Sequence, residues 1–361
     1  MGGFGDLIFN YKLHRYITSN FKGIEVKVVC GKGDKENFKK LSDGMEFILF
    51  HEKKNKSVFA GYDKFKFKRD PKYDLMLVCP CPLEYFKNPR NEPKGKNTDK
   101  LESHIYNLFN DKSNIDKNRM VFISEYNAPI VKRKNYITTG IPNVNIKNPN
   151  SKQPVGIMID KYKYSKTKEN QILKKYDLKK GKYAFVWISD VGGDTEGECL
   201  ESFLGMIYKK YKNKFSRNNK LDVLLPRLFY VYKEQYEEEY EILNIRYIFP
   251  VPHEEIKPII KFSVKDILVT GDQSLSDVIS CCPSKILWYQ IASWKKMLSI
   301  NLSRILGSNY ISRSSTSCGS IRSIEFNRDA LREIRKNYNF YDYFKGYLNE
   351  KIKEIKEEEE S

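Results

Sequence analysis

Metal-ligand spacing is what this chain most plainly lacks. Its seven cysteines contain no CxxC pair: Cys79 and Cys81 flank one proline, Cys281 and Cys282 are adjacent, and the four histidines (His14, His51, His104, His253) stand far apart. A structural zinc site draws on clustered pairs of such residues, so no metal is expected. An odd cysteine count without a framework points to reduced, mostly buried thiols rather than a secreted disulfide scaffold. No apolar run reaches the roughly 18 residues of a membrane span, and the opening residues carry no signal-peptide pattern. Gly2 is present, but Asp6 stands where a myristoylation site wants Ser or Thr. The expectation is a cytoplasmic protein without a transmembrane segment.

Charge of one sign is in surplus. Sixty-four Lys and Arg against 46 Asp and Glu give a formal net charge of +18. Such a balance can mark a nucleic-acid groove, an anionic membrane or phosphorylated ligands. The lysines, however, are spread along the whole chain among Asn, Ile and Tyr rather than gathered in a patch. That distribution reads as a solvated basic surface, and a nucleic-acid partner is not expected. The final run of four glutamates, 357–360, reads as a helix end fraying into an acidic tail.

The 361 residues suffice for two domains, each with its own core. In the first 150 residues, strand patterns over 23–30, 46–51, 74–79 and 120–124 alternate with helix patterns over 6–19, 35–41 and 99–110. Residues 89–100 read as a surface loop and 143–153 as a linker. From 182 the alternation resumes: strands over 182–189, 221–225, 245–249 and 285–290, with helices over 198–211, 232–243 and 253–262. The acidic face of residues 234–241 reads as solvated. This grammar predicts α/β domains with parallel sheets covered on both faces: an N-terminal one over 1–150, a second over 151–340, and a terminal helix and acidic tail over 341–361. A central cleft between two such domains would hold a ligand.

The residues around which the chain is organised are 265–291, KDILVTGDQSLSDVISCCPSKILWYQI. Ile267, Leu268 and Val269 form a short buried strand that runs into the turn Thr270-Gly271-Asp272-Gln273-Ser274. A helix over 275–280 follows, with Ser274 or Ser276 as cap and Asp277 suited to its positive end. Backbone N–H groups at a helix start, reached past a glycine, make an anion site fit for a phosphate or diphosphate. An ordinary loop with a glycine is the plainer alternative. Two further glycine turns repeat the design: Gly2-Gly3-Phe4-Gly5-Asp6 before the first helix, and Ser189 to Gly197 with Gly192-Gly193 before helix 198–211. None has the spacing GxGxxG, so a dinucleotide fold is not the match.

The order of a proline turn, HEEIKPIIKFSVKDILVTGDQSLSDVIS and KILWYQI resembles the donor half of glycosyltransferases built from two facing Rossmann-like domains, the GT-B fold. The start, GGFGDLIFNYKLHRYI, resembles the first loop and helix of that fold. Gly5-Asp6 with Tyr11 and Arg15, and Gly271-Asp272-Gln273-Ser274 with Trp288 and Tyr289, are similar to blocks of the protein-arginine rhamnosyltransferases. That likeness spans about fifty residues. Asp272 stands where that family has Glu, and Gln273 where it has Asp. The resemblance implies a hexosyl- or deoxyhexosyltransferase, with the acceptor on the first domain and a nucleotide-sugar on the second. The acceptor stays open among glycan, protein and small molecule.

The chemistry of an inverting transfer needs a base at the acceptor and donors for the departing nucleoside diphosphate. Asp6 is the candidate base, or else only an acid at a helix start. The N–H groups of Gln273, Ser274 and Leu275, with the Ser274 hydroxyl, are candidates for the diphosphate, and Asp272 is the second candidate catalytic residue, holding the sugar or an acceptor cation. Gly3, Gly5, Ser189, Gly192, Gly193 and Gly271 are the candidate loops, and Tyr289 or Trp288 would flank the base of the nucleotide. No metal or cofactor is required. A non-catalytic nucleotide-sugar or glycan-binding protein, a basic nucleic-acid binder, and an enzyme moving another group, such as pyruvyl, on the same fold remain alternatives.

Overall fold

The computed structural model describes residues 4–31, 47–50, 74–81, 117–128, 130–146, 151–188, 198–226, 233–281, 284–290, 295–306, 321–325 and 328–360. In chain order these contain α1 (Phe4–Asn20), β1 (Val28–Gly31), β2 (Phe47–Phe50), β3 (Met76–Cys81), β4 (Met120–Ser124), β5 (Tyr136–Ile137), α2 (Lys166–Lys175), β6 (Tyr183–Trp187) and α3 (Glu198–Tyr211). They continue with β7 (Leu221–Leu224), α4 (Lys233–Glu239), β8 (Leu243–Arg246), α5 (His253–Phe262), β9 (Asp266–Val269) and α6 (Asp272–Cys281). Last come β10 (Ile286–Gln290), α7 (Lys296–Leu306), β11 (Ile321–Glu325), α8 (Arg328–Asn337) and α9 (Phe340–Glu360). The expected helices over 35–41 and 99–110 and the loop over 89–100 lie outside the described residues.

The chain divides into two compact units. The first comprises Met1–Gly140, Asn148–Gly156 and Phe340–Ser361, and the second Ile141–Lys147 and Ile157–Asn339. The terminal helix α9 thus packs within the first unit: Tyr16 stacks on Tyr341 with ring centroids 4.4 Å apart, and Tyr16 Oη donates to the Tyr341 carbonyl. The stretch read as a linker is tied down on both sides of the division. Lys152 Nζ donates to the carbonyls of Val131, Arg133 and Tyr136 at 2.7–2.9 Å, and Asn143 Oδ1 accepts from Arg304 Nη1.

In the first unit, β3, β4 and β5 form a parallel three-stranded sheet, and β1 pairs with β2 in parallel. The MVFIS strand was legible because all five of its residues are buried, the mark of a strand covered on both faces.

The second unit holds a six-stranded sheet of order β11-β10-β9-β6-β7-β8, parallel apart from the edge strand β11. Counted from β6 this is the order 3-2-1-4-5-6 of a doubly wound sheet, whose direction of growth reverses between β6 and β9. Side chains alternate across each strand. Ala184, Val186, Val223, Leu268 and Trp288 point into one core with Leu200, Phe203, Leu204 and Ile207 of α3 and Tyr236 of α4. Tyr183, on the other face, donates through Oη to the Ile259 carbonyl of α5, and α6 packs on α5.

Several boundaries differ from the sequence reading. The acidic helix stops at Glu239 and the next strand is 243–246 rather than 245–249. Its charged face is not wholly solvated either, since Glu237 Oε1 accepts the Ile245 N–H at 2.7 Å and so pins α4 to the start of β8.

One buried carboxylate ties α3 to the sheet. Asp266, 0% exposed, accepts from Lys210 Nζ (2.9 Å), Tyr211 Oη (2.8 Å) and Trp288 Nε1 (3.1 Å). Removing it leaves the Tyr211 and Trp288 donors without an acceptor in a dry place. We expect Asp266→Ala to cost about 3 kcal/mol in urea-induced unfolding, with Asp266→Asn costing less. A loss under about 1 kcal/mol would show the carboxylate to be dispensable.

Candidate functional site

Ligands of open α/β sheets bind outside the carboxyl ends of the strands where the order reverses. In the second unit that place is fixed by residues. β6 and β9 are parallel neighbours, with Trp187 opposite Val269, and the Thr270 N–H donates to the Trp187 carbonyl at 2.7 Å. The chain turns at Gly271, whose φ is +77°, and enters α6 at Asp272. Among the described residues nothing lies within 4 Å of a Cβ added to Gly271, so the glycine serves the backbone angle.

The expected turn is therefore shorter and the helix longer than the sequence implied. Asp272, Gln273 and Ser274 form the first helical turn, and the Leu275 N–H donates to the Gly271 carbonyl at 3.3 Å. Leu275 thus spends its N–H inside the helix, which corrects its place among the anion donors. The Ser274 hydroxyl donates to the Thr270 carbonyl, so it is engaged with the backbone rather than turned to a ligand. The N–H groups of Gln273 and Ser274 belong to the first turn, where no carbonyl of the same helix can take them.

The side chains around this turn are buried and polar. Asp272 Oδ2 pairs with Lys295 Nζ at 2.9 Å, the two side chains being 11% and 8% exposed. Lys295 immediately precedes α7, so the start of α7 lies beside the start of α6. Lys295 was missed by sequence reasoning, because a partner 23 positions away leaves no local pattern. Gln273 is 2% exposed, and neither of its side-chain polar atoms has a hydrogen-bond partner among the described residues. The same holds for the Tyr289 hydroxyl at the end of β10, 1% exposed. Burial drives the Tyr289 pKa up, Asp272 drives it further, and Lys295 pulls the other way, which sets the hydroxyl within electrostatic reach of the pair. Trp288 lies on the opposite face with its N–H on Asp266, so it does not line this turn.

Comparison of the chain with protein-family models and with curated proteins found no match.

A second buried network, also unforeseen, holds α6 in place. His253 Nε2 lies 3.0 Å from Asp277 Oδ2, both side chains 3% exposed. Lys257 Nζ reaches Asp160 Oδ2 at 2.5 Å and Asp277 Oδ1 at 4.0 Å. The network joins the start of α5 to the middle of α6, so the orientation of the α6 N-terminus is set by paired charges as well as by apolar packing.

In the first unit, Asp6 lies in the first turn of α1, which begins at Phe4. Gly5 is accordingly helical rather than part of a turn. Asn10, one turn on, donates through Nδ2 to the Asp6 carbonyl (3.0 Å) and the Cys79 carbonyl (2.8 Å), and Cys79 Sγ donates to Asn10 Oδ1. Asp6 is thereby fastened near the carboxyl end of β3, the edge where the first unit's parallel sheet would receive a ligand. Burial pushes the Cys79 thiol up to about 12, so it is no nucleophile. Tyr11 is buried, and its hydroxyl accepts from Arg15 Nη1. Gly3, Ser189, Gly192 and Gly193 lie outside the described residues. Among the described residues no group of three or more His, Cys, Asp or Glu side chains is placed to hold a metal ion, and no helix is long and apolar enough to cross a membrane.

The backbone role of Gly271 is testable by stability. With no described residue within 4 Å of the added methyl group, Gly271→Ala is expected to cost the left-handed backbone term, about 1–2 kcal/mol. Gly140→Ala is expected to cost more, because its Cβ would fall 2.4 Å from Asn127 Oδ1 and 2.5 Å from the Asn127 nitrogen. Chemical denaturation of both variants checks this, and equal costs would contradict it.

Proposed function

We propose that the protein is a glycosyltransferase, inverting and metal-independent, that moves a hexosyl or deoxyhexosyl group from a nucleotide-sugar to an acceptor. The observation that carries this reading is the turn at Gly271. It stands at the carboxyl end of β9, next to β6, where the sheet of order β11-β10-β9-β6-β7-β8 reverses its growth. A diphosphate there would take the N–H groups of Gln273 and Ser274 and the positive end of α6. The likeness of two blocks of the chain to GT-B glycosyltransferases adds the transfer itself, with the donor assigned to the second unit and the acceptor to the first.

In this reading Asp6 takes the acceptor's proton as the acceptor oxygen or nitrogen attacks the anomeric carbon, while the nucleoside diphosphate leaves. Its place near the end of β3 favours that role. The competing reading, a protein that binds a nucleotide-sugar without transferring it, rests on the position of Asp6 in the first turn of α1, where a carboxylate is also stabilised by the helix dipole.

Thermal unfolding against a panel of nucleoside diphosphates and their sugars, followed by a transfer assay, separates these readings. One nucleotide class is expected to raise the midpoint by several degrees. Asp6→Asn is expected to keep that shift and to lose turnover by at least about a hundredfold. Binding with turnover untouched by Asp6→Asn removes the base assignment. No stabilisation by any nucleotide contradicts the donor site.

A further inference from the structure

The start of α6 brings the positive end of a helix and a lysine ammonium together with the Asp272 carboxylate. The N-terminus of α6 is equivalent to about +0.5 charge, and the Lys295 side chain, from just before α7, reaches it. Lys295 adds a full positive charge at the end of a helix where cations are disfavoured. Against these stands Asp272, the partner of Lys295 at 2.9 Å. The pair is nearly dry, the Tyr289 hydroxyl within its electrostatic reach is buried without a hydrogen-bond partner among the described residues, and so is the side-chain amide of the next residue, Gln273. A buried hydroxyl or amide left unmatched costs free energy until something polar reaches it. The arrangement is that of a site built for an anion and held together, when empty, by an internal one.

We propose that Lys295 is the cation that receives a diphosphate at the start of α6, and that Asp272 is its resting counter-ion, released when the phosphate arrives. The proposal deepens the donor-site reading above and rests on it. The diphosphate takes the Gln273 and Ser274 N–H groups and the Lys295 ammonium, and the Tyr289 hydroxyl turns its proton toward a phosphate oxygen. Asp272, now beside an anion, opposes binding. Lys295 and Asp272 therefore act with opposite signs on affinity, although they act with the same sign on stability. A salt bridge that only holds α7 against α6 has no such asymmetry, because losing either partner breaks it equally.

The test is isothermal titration of the full chain with inorganic pyrophosphate, and separately with uridine, guanosine and thymidine diphosphates to tell free diphosphate from a nucleotide. Lys295→Met is expected to weaken diphosphate binding at least tenfold, and Asp272→Asn to tighten pyrophosphate binding severalfold. The double variant Asp272→Asn/Lys295→Met, which removes both charges of the pair, is expected to bind as weakly as Lys295→Met and keeps the test valid should either single variant fail to fold. Lys353→Met, an exposed lysine on α9, controls for general attraction to a basic protein and is expected to change nothing. The proposal is overturned if Lys295→Met and the double variant bind as the wild type does, if Asp272→Asn weakens pyrophosphate binding, or if Lys353→Met loses as much as Lys295→Met. Nucleotide binding untouched by Lys295→Met overturns this proposal alone. Absence of binding by every diphosphate overturns it together with the donor-site reading.

Discussion

The pairing of β6 with β9 is the contact on which the second unit depends. Phe185, Val186 and Trp187 lie opposite Ile267, Leu268 and Val269, joining two strands about eighty positions apart. The loop-closure entropy of that separation is recovered only because all six residues sit in or beside a dense apolar core. Once the pair forms, β7 and β8 extend the sheet on one side, and β10 and β11 extend it on the other. The reversal of direction between β6 and β9 is then unavoidable. The Gly271 turn lies at this reversal because β9 ends there, not because glycine alone defines a ligand site.

Polar groups settle what apolar burial leaves open. Alternation along β10 assigns Trp288 to the α3 side and Tyr289 to the side of α5 and α6, and Asp266 fixes that choice by accepting the Trp288 N–H. His253 with Asp277 locks α5 to α6 in the other layer, and Lys257 ties α5 to Asp160, ahead of α2. Buried charges of this kind lose hydration and regain it through their partners, so they contribute less to net stability than to a single arrangement of the helices. That single arrangement is what a preorganised anion site requires.

Much of the fold was legible where the signal is local. The helices 198–211 and 253–262 and the strand 120–124 lie where the spacing of apolar residues puts them. The reading slipped where polar residues imitate a turn or a helix. Asp272, Gln273 and Ser274 look like a turn after glycine but form the first turn of α6, and the glutamates before Leu243 prolonged a helix that ends at Glu239. The edge strand 321–325, IRSIE, went unnoticed because its polar alternation stands among serines and arginines. Non-local facts were out of reach: the return of α9 to the first unit, the Asp272 pairing with Lys295, and the His253 pairing with Asp277 all join residues that no periodicity relates. The turn at Gly271 was visible in advance, while the cation beside it was not.

Hydrogen–deuterium exchange with and without a saturating nucleoside diphosphate-sugar tests the central claim most directly. The account predicts slowed exchange in peptides covering Trp187 to Ile188 and Thr270 to Ser276, the two strand ends that meet at the reversal, and in the start of α7. The open groove of about 930 Å³ on the outer side of α3, lined by Glu201, Gly205, Lys209 and Tyr240, should exchange as before. Protection at that groove with none at Thr270 to Ser276 would place the ligand elsewhere and contradict the account.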